Sequence, residues 1–118
     1  IGPFVPHKDT KFKNENHGDV SLVLMLLSII RLLKPNILLP ATTALGTVDP
    51  LGREKGILHG ANVVMPNLSP VKHRKDYSLY DNKICTGDEA AQCIGCLADR
   101  MKKIGCEIVT DRGDYTEE

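Results

Sequence analysis

Apolar residues fall in short continuous runs along the chain, separated by polar, glycine-rich or proline-rich stretches. Residues 1–6 read as a short buried strand ended by Pro6, and 7–18 as a polar loop. Asp19 is placed to cap a helix over about 20–34, stopped by Pro35. Residues 37–39 read as a second strand and 41–50 as a loop carrying Gly46 and Pro50. A short helix over 51–59 ends at Gly60, and "ANVVMP", 61–66, reads as a third strand. A long irregular segment, "NLSPVKHRKDYSLYDNK", leads to a last helix from about Gly87 to Ile104, with Gly105 at its end. "CEIVT", 106–110, reads as a fourth strand before an acidic, frayed tail over 111–118. Strands alternating with helices predict an α/β fold of parallel βα units with right-handed crossovers. Continuous apolar runs suit strands buried on both faces.

In a TIM-type barrel the chemistry sits where strands end and βα loops begin. That rule places Pro6-His7, Ala41-Thr42-Thr43 and Met65-Pro66-Asn67 on one rim. The hydroxyls of Thr42 and Thr43 could bind a small polar ligand there. The same hydroxyls would equally cap backbone groups in a tight loop. His7 reads as a loop histidine bonded locally, Met65 as core, and Arg53 with Glu54 as an exposed ion pair.

Composition narrows the partners. Fifteen basic and fifteen acidic residues give a formal net charge of zero. No bulk electrostatic case remains for nucleic acid or an anionic membrane. The cluster Lys72-His73-Arg74-Lys75 reads as a solvated loop. "VSLVLMLLSIIRLL", 20–33, is too short to span a bilayer and contains Arg31. A helix apolar around its circumference is expected to be buried on several sides, against elements outside this chain or a second copy of it. The start at Ile1 suggests an interior piece of a longer protein.

Of four cysteines, Cys85, Cys93 and Cys96 lie within twelve residues, and Cys106 stands apart. Without a secretory signal, the Cys-x-x-Cys spacing favours metal or redox chemistry over disulfides.

Three stretches carry a resemblance to a known family. "GPFVPHKDT", "ATTALGTVDPLGREKGILHGANVVMPNLSP" and "YSLYDNKIC", in that order, resemble the C-terminal part of FeFe-hydrogenase maturases. These are radical S-adenosylmethionine enzymes related to biotin synthase. The resemblance implies the C-terminal portion of a (β/α)8 barrel, the biotin and thiamin synthesis associated region, over 1–110. It implies that Thr42 and Thr43 hold the carboxylate of a small sulfur-containing, amino-acid-like substrate, with Met65 nearby and Tyr77 or Tyr80 closing the cavity mouth. It further implies that Cys85, Cys93 and Cys96 hold an accessory iron–sulfur cluster. The parent's S-adenosylmethionine and catalytic 4Fe–4S cluster need Cys-x3-Cys-x2-Cys, and the position four residues before Cys93 is Glu89. The chain alone is therefore not expected to perform the radical reaction. The N-terminal remainder of the barrel is the implied partner, and the cytoplasm the implied compartment.

Three other functions fit the same residues. One is a biotin-synthase-like sulfur insertion enzyme, which suits the layout but not the "ATTALGT" loop. Another is a non-enzymatic Cys-x-x-Cys metal-binding module. The third is a structural half-barrel that self-associates through open sheet edges.

Overall fold

The computed structural model describes residues 1–84, 90–111 and 113–114, the side chains of Val71, Lys75 and residues 90–93 excepted. Its elements are α1 (Val20–Leu33), β1 (Pro40–Ala41), α2 (Thr43–Val48), α3 (Gly52–Leu58), β2 (Val63–Val64), a 3-10 helix (Val71–Tyr77) and α4 (Ala90–Lys103).

The α1 helix forms where its signals put it. The Asp19 carboxylate accepts the Ser21 N–H at 2.7 Å, and Lys34 N–H closes the last turn on Ile30 O at 2.8 Å, just before Pro35. Val23, Leu24 and Leu27 bury one face against Leu39, Ala41, Leu45 and Ala61. The described residues cover that face only: Leu22, Met25, Ile29, Leu32 and Leu33 remain exposed. Arg31 is not a stray charge in this helix. Its Nε donates to Gly60 O at 2.8 Å, and Ser28 Oγ lies 3.1 Å from His59 O. Together they tie α1 to the end of α3.

β1 and β2 form a parallel pair in the register Pro40 with Val63 and Ala41 with Val64. Parallel βα units are thus present, but the strand positions differ from the expected ones. The second strand lies at Pro40–Ala41, not 37–39. Of that apolar run, Leu39 is buried and Leu38 exposed. The pairing is set by Asn62. Its Oδ1 accepts Leu39 N–H at 2.8 Å and its N–H donates to Leu39 O at 2.9 Å, so one residue satisfies both backbone groups beside the strand. The third strand shortens to Val63–Val64.

No strand forms at 1–6 or 106–110. Pro3 and Pro6 remove two N–H donors from the first segment. Its carbonyls are used elsewhere, Phe4 O by Gly18 N–H at 2.8 Å and Pro6 O by Asp81 N–H at 3.0 Å. Cys106 N–H turns back to Met101 O at 3.0 Å. A strand needs an edge to pair with, and neither segment finds one among the described residues.

The expected loop at 41–50 contains α2, and α2 meets α3 at close range. A Cβ built on Gly52 would lie 2.2 Å from the Leu45 carbonyl oxygen, a backbone atom that cannot swing away. Glycine is required there by the approach of two helices rather than by its own torsion. α3 ends at Leu58, and the chain turns away at Gly60, whose φ of +104° suits a residue without Cβ. Within α4, by contrast, a Cβ on Gly95 meets nothing within 4 Å. Gly52→Ala is therefore expected to cost about 1–3 kcal/mol through overpacking. Gly95→Ala is expected to add about 0.5–1 kcal/mol through helix propensity. Urea unfolding of both variants reads the contrast, and equal effects would refute the close approach.

Candidate functional site

Because β1 and β2 run parallel, both strands end at one edge. Thr42 follows β1 and Met65 follows β2 there. Thr42 is the N-cap of α2, with extended backbone (φ −70°, ψ 155°), and its hydroxyl accepts the Leu45 N–H at 3.2 Å. Thr43 opens the helix, half-buried, and its carbonyl accepts Thr47 Oγ1 at 3.0 Å. Met65 is 47% exposed, so the expectation that it belongs to the core is corrected. It lies on open surface beside the strand end.

The first segment reaches this edge without being a strand. A Cβ built on Gly2 would lie 2.5 Å from Thr42 Oγ1, so the Gly2 backbone packs on the cap. Pro6 and Asp81 are joined by their backbone bond. Ile84 N–H approaches Thr47 Oγ1 at 3.4 Å. The segments at 2–7, 42–47 and 80–84 thus converge. His7 and Tyr80 line an open pocket of about 290 Å³ with Lys8, Ser78, Asp81, Asn82 and Lys83. His7 is bonded locally, as expected, its Nδ1 accepting Asp9 N–H at 3.1 Å. Tyr77 is 58% exposed, and its carbonyl accepts Lys83 Nζ.

The basic cluster is not a fully solvated loop. Arg74 is buried, donating from Nε to Ser69 O at 2.8 Å and from a terminal nitrogen to Asn67 O at 3.1 Å. It holds the turn that leads away from Met65. Sequence reading missed this residue because its carbonyl partners carry no side-chain signal.

The expected exposed pair of Arg53 and Glu54 is also corrected. Both are buried, and the Glu54 carboxylate is gripped by the guanidinium of Arg100 on α4. One Arg100–Glu54 contact spans 2.6 Å, and Arg100 also reaches Pro50 O. Burial pushes the Glu54 carboxyl up. The Arg100 bonds, the group's own backbone N–H and the charges of Arg100 and Arg53 outweigh that and hold it below its ordinary value of 4.5. Asp49 is lowered from 3.8, first by the bond to Lys55 Nζ at 2.5 Å and then by the Leu51 N–H. These two carboxylates fix the α2–α3 corner and dock α4 on it.

No protein-family profile matches the chain. Over 113 residues, 96% of its length, it is 45% identical to the [FeFe] hydrogenase maturase subunit HydE of Thermotoga maritima. The chain is similar to the C-terminal part of HydE. It spans 32% of that relative's length.

Cys85 and the side chain of Cys93, two of the three expected cluster ligands, lie outside the described residues. Cys96 carries an exposed free thiol on α4, and Cys106 is a half-buried thiol 3.9 Å from Ile104 O. Among the described residues no group of three or more His, Cys, Asp or Glu is placed to hold a metal. None of the described helices is long and apolar enough to cross a membrane.

Two outcomes test this geometry. The stability contributed by Glu54 is fully present above its ordinary value of 4.5 and is lost as pH falls through the lowered folded value. Arg100→Met strands a buried carboxylate and is expected to cost about 2–3 kcal/mol at pH 7, discounted from a fully buried pair because Arg100 is partly exposed. In Glu54→Gln the acid-side decline in stability should flatten, and an unchanged acid profile would sink the assignment. For the cap, Thr42→Ala should cost about 1 kcal/mol and Thr42→Ser much less. Equal losses in thermal unfolding would mean the hydroxyl does not cap α2.

Proposed function

We propose that the chain is the substrate-facing C-terminal portion of a HydE-type radical S-adenosylmethionine enzyme, acting in assembly of the FeFe-hydrogenase active-site cluster. The observation that carries this is 45% identity sustained over 96% of the chain. The parallel β1–β2 pair, whose strands are followed by Thr42 and Met65, supports the placement. In this reading the two strands belong to the C-terminal portion of a (β/α)8 barrel, a portion extending over 1–110. Thr42 and Thr43 receive the carboxylate of a small sulfur-containing, amino-acid-like substrate. The Thr42 oxygen that accepts from Leu45 leaves its own O–H to donate. Met65 flanks the site, and Tyr80 closes its mouth.

S-adenosylmethionine and the catalytic 4Fe–4S cluster supply the radical chemistry when bound, and residues outside these 118 hold them. Cys85, Cys93 and Cys96 form the accessory cluster site. Thiolates are the soft ligands that iron requires, and Cys96 offers one at the surface. The remainder of the barrel packs on the exposed stripe of α1, where Leu32 and Leu33 are 81% and 73% accessible.

The test is made in the full-length protein. Thr43→Val should raise the KM for substrate at least tenfold while S-adenosylmethionine cleavage without substrate persists. An unchanged KM would remove the threonines from the site. Leu32→Glu with Leu33→Glu should lower full-length stability by at least about 3 kcal/mol, as expected for two leucines buried by the remainder. An unchanged thermal midpoint would show that this stripe faces water in the parent.

A further inference from the structure

Residues 77–84 form a loop that closes on itself. Leu79 N–H donates to Tyr77 O at 3.0 Å, and Lys83 Nζ donates to the same carbonyl at 3.1 Å. Asn82 makes the bend with a φ of +56°, in the left-handed region that asparagine tolerates. The loop is fixed to the chain at one point by Asp81 N–H on Pro6 O at 3.0 Å, and at another by Ile84 on α2.

The second point is Thr47. A threonine hydroxyl has one proton to give and lone pairs with which to accept. Thr47 gives its proton to Thr43 O at 3.0 Å and accepts Ile84 N–H at 3.4 Å. The direction is fixed at both ends, since a carbonyl only accepts and an amide N–H only donates. The first bond alone is the ordinary back-bond of a helical threonine to the carbonyl four residues earlier. The second joins residues 37 positions apart and is long, and packing supports it. A Cβ built on Gly46 would lie 3.0 Å from Ile84 Cδ1, so the Ile84 side chain rests on α2 where glycine leaves the backbone bare. Bonds in series through one hydroxyl also strengthen one another.

We propose that Thr47 is a positioning residue of the threonine edge. Its one hydroxyl sets the 77–84 loop, which carries Tyr80, against the first turn of α2, which carries Thr43. The tether stands on these contacts alone, whereas its consequence for a ligand at Thr43 rests on the maturase reading.

Amide hydrogen exchange in the full-length protein tests the tether. In wild-type protein the Ile84 amide should exchange at least about tenfold more slowly than an unprotected amide, a readout that needs no variant to fold. Thr47→Val, similar in shape but without the hydroxyl, should remove that protection, and Thr47→Ser should restore it. Calorimetric titration with L-cysteine, a small sulfur-containing amino acid, tests the consequence. Thr47→Val should weaken binding at least about threefold, the scale of one modest hydrogen bond, and Thr47→Ser less than about twofold. An unprotected Ile84 amide, or equal protection in folded Thr47→Val, would overturn the tether. Unchanged affinity in Thr47→Val beside weakened affinity in Thr43→Val would overturn the positioning role alone. Absence of binding to wild-type protein, or unchanged affinity in Thr43→Val, would refute the substrate site proposed above, and the positioning role would fall with it.

Discussion

The two hydrogen bonds between Leu39 and Asn62 set the geometry on which the rest of the chain depends. A parallel pair cannot be started by a tight turn, because its strands are joined by a crossover. Here the crossover runs through α2 and α3 and returns at Gly60. Asn62 then presents an amide oxygen and a backbone N–H to the same residue. That choice fixes Ala41 beside Val64, and so brings Thr42 and Met65 to one edge. A slip of one residue would exchange the faces of both strands and remove this coincidence. The Gly-Ala-Asn triplet after the short helix therefore positions the candidate site without lying in it.

The crossover is held by charge as much as by apolar packing. Leu45 and Gly56 bury the contacts near the strand, while Asp49, Glu54 and Arg100 close the outer corner. A buried carboxylate without a partner would shed its charge or destabilise the fold. Glu54 does neither because Arg100 arrives from α4, forty-six positions away in sequence. The same contact docks the helix that carries Cys96 onto the helix that follows the rim. The exposed thiol of Cys96 is thereby placed relative to the sheet through an ion pair.

What the sequence revealed follows from the range of the forces involved. The start and end of α1, the stop at Gly60 and the turn at Gly105 were legible because Asp19, Pro35 and the two glycines act on their own backbone. The Thr42 cap was open to reading as a ligand contact because both uses need a hydroxyl at a strand end. Strand positions were misread because apolar content marks burial, whereas pairing is decided by a partner. The run at 37–39 buries only Leu39, and its neighbour Pro40 begins the ladder. Arg74, Arg100 and Arg31 were not legible at all, since their acceptors are carbonyls or a distant carboxylate. The cysteine spacing was plain in sequence, but Cys85 and the Cys93 side chain lie outside the described residues, so geometry adds only Cys96.

The distribution of apolar surface carries the last step. A two-stranded sheet with two short strands has little pairing of its own, and such pairs are marginal unless packed. α1 packs it from one side with Val23, Leu24 and Leu27, yet the same helix turns five large apolar residues outward. Scattered exposed leucines are ordinary on a protein surface, but residues 22, 25, 29, 32 and 33 recur at helical spacing and form a stripe. A helix that met water on that side would carry polar residues there. The core residues and the stripe thus make opposite statements about the same element: the first says that α1 is finished, the second that it has a second neighbour. A relative roughly three times as long, matched here over 32% of its length, has the chain to provide one. In the maturase reading proposed above, the threonine edge and the stripe answer to one architecture, with α1 as an interior partition of the larger fold.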